Sequence, residues 1–152
     1  MEDIETGVEF STDKSKIDIE LTHKFLTNSY WAKGRTIEAV KKSIENSFCF
    51  GIYLNGAQIG FARVLSDNVL AYVTDLFIIE EYRGKGFSKV LLEKMLSQPE
   101  LAELDLWFLA TKDSQLLYEK FGFTMITNPE MYMTRSKNSI ETKWYKSSAT
   151  IG

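Results

Sequence analysis

Residues 18–45 carry apolar side chains three and four positions apart, which predicts two consecutive amphipathic helices. Asp18 is a suitable N-cap for the first helix, which is expected to end near residue 28. Thr36 is a suitable N-cap for the second. A short apolar run at residues 8–10 predicts a strand ahead of both helices.

From residue 48 the helical spacing of apolar positions ends, and the pattern becomes that of β-strands. Two such runs, 48–54 and 57–65, flank an Asn55-Gly56 pair, and this combination predicts a tight β-hairpin. A third run at 69–79 follows a polar turn. Three consecutive antiparallel strands are therefore expected.

The rest of the chain alternates between helix and strand. A helix is predicted from Phe87 onward, and an apolar strand at 104–110 follows it. Because a helix intervenes, the strands at 69–79 and 104–110 are expected to be parallel neighbours. The pattern ends with a short helix and a hairpin, at 113–120, 123–126 and 131–134. The predicted fold class is α/β (α+β), with one mixed sheet of six to seven mostly antiparallel strands and about four helices.

Length and composition are those of one ordinary domain. The 152 residues are 44% hydrophobic and 13% aromatic, which is enough to build one packed core. We expect a single domain over residues 1–134 and a polar tail over 135–152 that is loosely docked or partly disordered. Trp144 in that tail, or an exposed sheet edge, could support a homodimer.

Charge and cysteine content argue against several classes of partner. The formal net charge of −3 indicates no general affinity for nucleic acid or anionic membrane. No apolar run approaches the roughly 20 residues needed to span a bilayer, and the acidic N-terminus is unlike a signal peptide. The lone Cys49 cannot form an internal disulfide and suits a reducing compartment. A cytoplasmic protein without a metal is expected.

The most informative stretch is the loop at residues 83–88 (RGKGFS), which lies between a predicted strand and a predicted helix. Its glycines let the backbone turn tightly and present N–H groups to a ligand. The first turn of a helix also has unpaired N–H donors and a partial positive charge. Lys85 and Lys89 add positive charge. The loop therefore predicts a phosphate-binding site, which we call the glycine loop.

The glycine loop matches neither the P-loop pattern nor the dinucleotide-binding pattern, since it lacks GK[ST] and the third glycine. It resembles the acyl-CoA signature [QR]-x-x-G-x-[GA] of the GNAT superfamily of N-acetyltransferases. Arg83 and Gly86 occupy the first and fourth places, and Ser88 stands where glycine or alanine is usual.

A second stretch strengthens this resemblance. Residues 117–123 (LYEKFGF) are similar to the L-Y-x-K-x-G-F segment that the superfamily carries downstream of its acyl-CoA loop. The likeness covers roughly residues 17–134. It extends to a GNAT subgroup with an H-x-F-L…Y-W-A segment, here residues 23–26 and 30–32, for which no acceptor is settled.

The resemblance implies an acetyl-CoA-dependent N-acetyltransferase with a GNAT-like fold, in which the strand at 69–79 is splayed from its parallel neighbour at a bulge. Pantetheine would pair with the strand backbone and the diphosphate would rest on the glycine loop. Asp113 stands where an asparagine is common in the family. Tyr118 is implied as the general acid. The implied acyl-CoA residues are Leu76, Phe77, Ile78, Arg83, Gly84, Lys85, Gly86, Phe87, Ser88, Asp113 and Tyr118.

An amine that is protonated at neutral pH must lose a proton before it attacks a thioester. Asp75 and His23 are the candidate bases; Asp75 could equally be a cross-strand partner of Arg63, and His23 an ordinary helix residue. Glu80 and Glu81 are expected only to solvate a turn. The residues expected to line an acceptor pocket are His23, Tyr30, Trp31, Arg35, Arg63 and Tyr72.

Aromatic side chains suit a cationic amine, and arginines suit a carboxylate on the acceptor. We expect a small-molecule amine as the acceptor. Three alternatives remain open: an N-acetyltransferase of proteins or peptides, a catalytically silent acyl-CoA-binding regulatory domain, and a scaffold whose glycine loop binds nothing.

Overall fold

A computed structural model of the protein describes residues 6–137. Within this range the chain divides between Leu109 and Ala110 into two compact units. Most of the predicted tail, including Trp144, lies outside the described residues.

The first unit contains one mixed sheet with the strand order β1-β2-β3-β4-β5. The strands are β1 (Val8–Ser11), β2 (Phe48–Leu54), β3 (Ala57–Ser66), β4 (Leu70–Ile78) and β5 (Leu106–Leu109). Neighbours from β1 to β4 pair antiparallel, and β4 pairs parallel with β5. The predicted hairpin and the predicted parallel pair are both confirmed. Asn55 and Gly56 have the positive φ angles, 50° and 87°, that a tight hairpin turn requires.

Three helices belong to the first unit: α1 (Ile19–Thr27), α2 (Ile37–Glu45) and α3 (Phe87–Leu96). The predicted caps are confirmed, because the Asp18 side chain accepts from Leu21 N–H and the Thr36 side chain accepts from Ala39 N–H. A short helix, α4 (Gln115–Glu119), lies in the second unit.

The sheet of the first unit carries helices on both faces. Leu26 of α1 and Val40 of α2 are buried in one cluster with Phe61 of β3 and Phe77 of β4. The opposite face bears the buried apolar side of α3, which contacts β2 and β4. Because side chains alternate between the two faces of a strand, one face of β4 is covered by α1 and α2 and the other by α3.

The strand count is lower than predicted, since the described residues contain five strands instead of six to seven. The hairpin expected at 123–126 and 131–134 is absent; a 3₁₀ turn, Pro129–Met131, stands where its second strand would begin. The hydrogen bonds there are local, from Met131 N–H to Asn128 O and from Tyr132 N–H to Pro129 O. Met125 and Met133 are exposed, so this segment lacks the burial that would hold it in a sheet.

Two further boundaries differ from the prediction. The fifth strand begins at Leu106, because Leu101 and Leu104 lie in hydrogen-bonded turns that follow α3. The last helix, predicted from residue 113, begins at Gln115, with Ser114 at its N-cap position; the Ser114 N–H donates to the Thr111 hydroxyl. No helix in residues 6–137 is both long and apolar enough to cross a bilayer.

Candidate active site

The strand β4 contains a bulge at Asp75. Its register with β3 passes from Arg63↔Thr74 to Phe61↔Phe77, so that two residues of β4 oppose one of β3. Asp75 takes the left-handed conformation there, with φ 57°. A bulge bends its strand and redirects its side chains, and here it turns the Asp75 carboxylate inward, where it is 3% exposed.

Beyond this bulge β4 leaves its parallel neighbour. The pairing between β4 and β5 ends at Val73↔Leu109, whereas β4 itself runs on to Ile78. Ile79 N–H donates to Ile59 O on the β3 side at 2.9 Å. By the alternation of a strand, the backbone groups of Ile78 and Leu76 then point to the opposite side, where the β5 partner has ended. We call this stretch the open edge of β4; it is the splay that the sequence resemblance implied.

The glycine loop follows the open edge after one 3₁₀ turn, Glu80–Tyr82, and has the conformation that its sequence predicts. Gly84 and Gly86 have φ angles of 78° and 86°, which residues with a Cβ rarely adopt. Gly86 is the N-cap of α3 and provides no side-chain cap, and the first turn of α3 carries no acidic residue. The first N–H groups of α3 therefore meet neither a capping oxygen nor a negative charge from its own first turn. A Cβ built on Gly84 would meet nothing within 4 Å, so the loop is open above this residue.

Arg83, the first residue of the acyl-CoA signature, holds the end of β4 in place. Its Nε donates to Ile78 O at 2.9 Å. Its guanidinium lies 5.7 Å from the centre of the Phe25 ring, which in turn stacks on Phe77 at 3.9 Å. This role of Phe25 was not predicted. The loop is thereby fastened to α1 as well as to β4.

Asp75 is the centre of a buried cluster that we call the Asp75 cluster and that consists of Trp31, Arg35, Arg63 and Asp75. Trp31 Nε1 donates to Asp75 Oδ1 at 2.8 Å. Arg35 Nη1 and Arg63 Nε donate to Oδ2 at 2.7 Å and 2.6 Å. The predicted cross-strand pairing of Arg63 with Asp75 is confirmed.

These contacts determine the protonation state of the Asp75 carboxyl. Burial by itself would raise the pKa of the Asp75 carboxyl, but the positive charges of Arg63 and Arg35, with the hydrogen bonds, lower the pKa below its usual value. Asp75 is therefore ionised at neutral pH. Burial raises the pKa of the nearby Tyr72, and the negative charge of Asp75 adds to the rise, so Tyr72 stays a neutral hydroxyl.

His23 binds the connector between α1 and α2 and not the carboxylate. Its Nε2 lies 3.0 Å from Arg35 O. Because a carbonyl only accepts, Nε2 carries the proton in this contact, and the neutral ring keeps its lone pair on Nδ1. His23 and the Asp75 cluster are thus linked through Arg35.

The predicted site residues other than Tyr72, which lies on β4 between Leu65 and Phe108 of the neighbouring strands, fall into three sets. Trp31 and Arg63 donate directly to Asp75, His23 is linked to Asp75 through Arg35, and the Tyr30 ring packs edge-on against Trp31 at 5.1 Å. The predicted acyl-CoA residues from Leu76 to Ser88 form the open edge and the glycine loop. Tyr118 and Asp113 lie in the second unit, where Tyr118 is buried with its ring edge-on to Phe123 at 5.7 Å.

Comparisons with known proteins agree with this geometry. The family described as "Acetyltransferase (GNAT) domain" matches residues 14–137. A putative acetyltransferase of the GNAT family from Xanthomonas campestris pv. campestris is 40% identical, with a TM-score of 0.82 over 85% of this chain and 92% of that chain. A predicted acetyltransferase from Clostridium acetobutylicum, solved with acetyl-CoA, shares the fold at 13% identity and a TM-score of 0.66, over 85% of this chain and 96% of that one.

One curated relative matches a smaller part of the chain. The uncharacterized N-acetyltransferase ycf52 of Pyropia yezoensis is 31% identical over 100 residues, which are 61% of this chain and 57% of that protein. The chain thus spans little more than half the length of this relative. Because the family match covers most of the 152 residues, the chain belongs to the GNAT acetyltransferase family.

Proposed function

We propose that this protein is an N-acetyltransferase that transfers the acetyl group of acetyl-CoA to a primary amine of a small molecule, by direct attack in a ternary complex. The observation that carries the proposal is the open edge of β4, which leads through a single 3₁₀ turn into the glycine loop. Family membership supports the same activity.

The residues of the first unit fit an acyl-CoA. The open edge offers the backbone groups of Leu76, on the side where the β5 partner has ended, to an extended chain that adds to a sheet as a strand does. The glycine loop and the start of α3 offer N–H groups and a partial positive charge to a diphosphate. Lys85 and Lys89 contribute charge at the same place. One continuous stretch of chain thereby suits both parts of the molecule.

When bound, acetyl-CoA supplies an acetyl group activated as a thioester. The backbone N–H of Leu76 is suited to stabilise negative charge at the open edge, because a fixed donor needs no reorganisation during the reaction. Tyr118 is assigned, from its place in the LYEKFGF segment, the role of giving a proton from its hydroxyl to the departing sulfur.

Of the two candidate bases, we assign the proton-accepting role to His23. Asp75 is held ionised by three donors and has its pKa lowered, so it is a weak proton acceptor at neutral pH. Its bonds suit it to position Arg35 and Arg63 instead. His23 keeps a lone pair on Nδ1 while Nε2 is bound to Arg35 O.

The lowered pKa of Asp75, which makes it a weak base, also favours a second candidate function. If His23 only holds the connector, the cluster contains no base, and the protein would be a catalytically silent acyl-CoA-binding regulatory domain. Such a domain would bind acetyl-CoA tightly and would release no thiol with any amine.

Two measurements test the proposal. Acetyl-CoA at a hundred times its Kd should stabilise the protein by about 2.7 kcal/mol in thermal unfolding. Free CoA thiol should then appear with at least one member of a panel of polyamines, amino acids, aminoglycosides and peptides. Stabilisation without thiol release would favour the silent binder, and activity confined to peptides would favour a peptide N-acetyltransferase.

The Tyr118→Phe variant tests the assigned acid. It should bind acetyl-CoA as the wild type does and turn over about 10- to 1000-fold more slowly. Unchanged turnover would remove Tyr118 from the mechanism.

A further inference from the structure

We propose that the Asp75 cluster binds a carboxylate of the acceptor, so that the acetylated amine belongs to an amino acid or to another amine that bears a carboxylate. This inference rests on the proposed acetyltransferase function and names the chemical class of its acceptor.

The first argument is the charge of the cluster. Arg35 and Arg63 are permanently protonated, whereas Asp75 supplies one negative charge and uses a single oxygen, Oδ2, for both arginines. The sum of two positive charges and one negative charge is +1. The side chains of Arg63 and Asp75 are 10% and 0% exposed. The side chain of Arg35 is 23% exposed, so the surplus of +1 is only partly withdrawn from water and would attract an anion that reaches it.

The second argument is a set of donors without acceptors. Arg63 as a whole is 8% exposed, and its Nε is bound to Asp75. Its Nη1 and Nη2 have no hydrogen-bond partner within residues 6–137. Among the described residues, the Tyr53 hydroxyl is the one fully buried side-chain polar atom without a partner, so the Nη groups of Arg63 lie where solvent, and hence a ligand, can reach them. A planar pair of N–H donors left open in this way matches the two oxygens of a carboxylate.

The third argument is the fixed position of Arg35. Its backbone N–H donates to Ala32 O at 2.9 Å, its carbonyl accepts from His23, and its Nη1 binds Asp75. Nε and Nη2 have no partner among the described residues, and the side chain is 23% exposed. Arg35 is thus held in a fixed position, its Nε and Nη2 are available as donors, and its side chain is accessible to solvent. Such a pre-organised donor loses little entropy when it binds a ligand.

The charge balance favours a carboxylate over a phosphate. One carboxylate neutralises the surplus of +1, whereas a phosphate dianion would leave an excess negative charge in a buried place. The position is also suitable, because Asp75 directly precedes Leu76 at the open edge of β4. A carboxylate held there would place the rest of the acceptor near the proposed transfer site.

The experiment compares acceptors that differ only in the carboxylate. 6-Aminohexanoate is compared with pentylamine and 6-aminohexanamide, and glycine with glycinamide, with release of CoA thiol as the readout. We expect kcat/KM to be about 10- to 100-fold higher for the carboxylates, since a hydrogen bond to a charged group contributes that much. Equal rates across each pair would overturn the inference and leave the acetyltransferase function standing. Preference for phosphoethanolamine over the carboxylates would also overturn it.

Arginine variants locate the effect. Arg35→Lys keeps the charge beside Asp75 and loses the planar fork, so it should fold and should raise KM for 6-aminohexanoate about ten-fold more than it raises KM for pentylamine. Lys33→Gln is the matched control, because Lys33 is an exposed cation in the same connector; it should change neither value. An equal effect of both variants would indicate general electrostatics and would contradict a defined site.

A binding measurement separates this inference from the proposed function. Trp31 donates to Asp75, so with Trp107→Phe and Trp144→Phe its fluorescence reports on the cluster alone. 6-Aminohexanoate should change the fluorescence saturably at constant ionic strength, and pentylamine should not. This result would support the carboxylate site even if no thiol were released. A response to neither compound, or to both equally, would overturn it.

Discussion

The glycine loop follows Asp75 on the same strand-loop segment, but the loop and the Asp75 cluster are built in different ways. The loop is made by consecutive residues, 83–88, whose backbone conformation is set by Gly84 and Gly86. The cluster is made by side chains that lie 44, 40 and 12 positions from Asp75 along the chain. The first works through backbone N–H groups and the second through buried charge, so changes in the two should have different consequences.

The largest expected effect is the loss of stability on removing the charge of Asp75. Asp75→Asn keeps the size of the side chain and leaves Arg35 and Arg63 without their counter-ion in a buried place. We expect the free energy of unfolding to fall by about 3 to 5 kcal/mol in urea titration.

Asp67→Asn is the control for this variant. Asp67 is exposed, and its Oδ1 accepts backbone N–H groups in a turn, a role that asparagine can also fill. It should leave the free energy of unfolding nearly unchanged. If Asp75→Asn were no more costly than Asp67→Asn, the cluster would not be a structural ion network.

The next effect separates binding from folding in the glycine loop. Gly84→Ala and Gly56→Ala place a Cβ on residues with φ 78° and 87°, and in both cases the Cβ meets nothing within 4 Å. The free energy of unfolding should therefore fall by about 1 to 2 kcal/mol in each variant, from backbone strain alone. Only Gly84→Ala should lose most of the roughly 2.7 kcal/mol of stabilisation that acetyl-CoA provides at a hundred times its Kd.

The matched glycines make the outcome easy to interpret. If Gly84→Ala retained the full stabilisation by acetyl-CoA in thermal unfolding, the diphosphate would not rest on this loop. If Gly56→Ala lost it as well, the effect would be general destabilisation and not a property of the site.

The two regions also differ in how far the sequence could predict them. The fold up to residue 109 and the conformation of the glycine loop follow from local patterns: caps at Asp18 and Thr36, alternation in the strands, and glycines before α3. A conformation that is set by neighbouring residues can be predicted from the local sequence.

The Asp75 cluster could be predicted only in part. The sequence suggested Arg63 as a partner of Asp75, because neighbouring strands bring such residues together. The sequence could not show that Trp31 and Arg35, in the connector between α1 and α2, bind the same carboxylate. Nor could it show that the bulge turns the Asp75 side chain inward. The predicted last hairpin was wrong because alternation at residues 123–134 was not accompanied by burial.

A smaller effect is expected in acid. The pKa of Asp75 is lowered on folding, so its carboxylate stabilises the fold at every pH above the ordinary aspartate value of 3.8. That stability is lost as pH falls through the lower pKa of the folded state. Between pH 4 and pH 2, the unfolding free energy of the wild type should fall more steeply than that of Asp75→Asn, as measured by urea titration at about six pH values. Parallel curves would show that this carboxyl has no lowered pKa.

The smallest effect on stability, and the sharpest test of the assigned base, is expected at His23. His23→Phe fills the space of the ring and removes the donor to Arg35 O, which should reduce the unfolding free energy by about 0.5 to 1.5 kcal/mol. His23→Gln keeps an N–H donor on a side chain that does not titrate, so it should recover part of this loss. If the ring accepts the proton of the amine, turnover should fall by about 10²- to 10⁴-fold in both variants, because neither side chain can take a proton. Recovery of turnover along with stability in His23→Gln would show instead that the ring only holds Arg35 in position, and the proton would then have to leave through water.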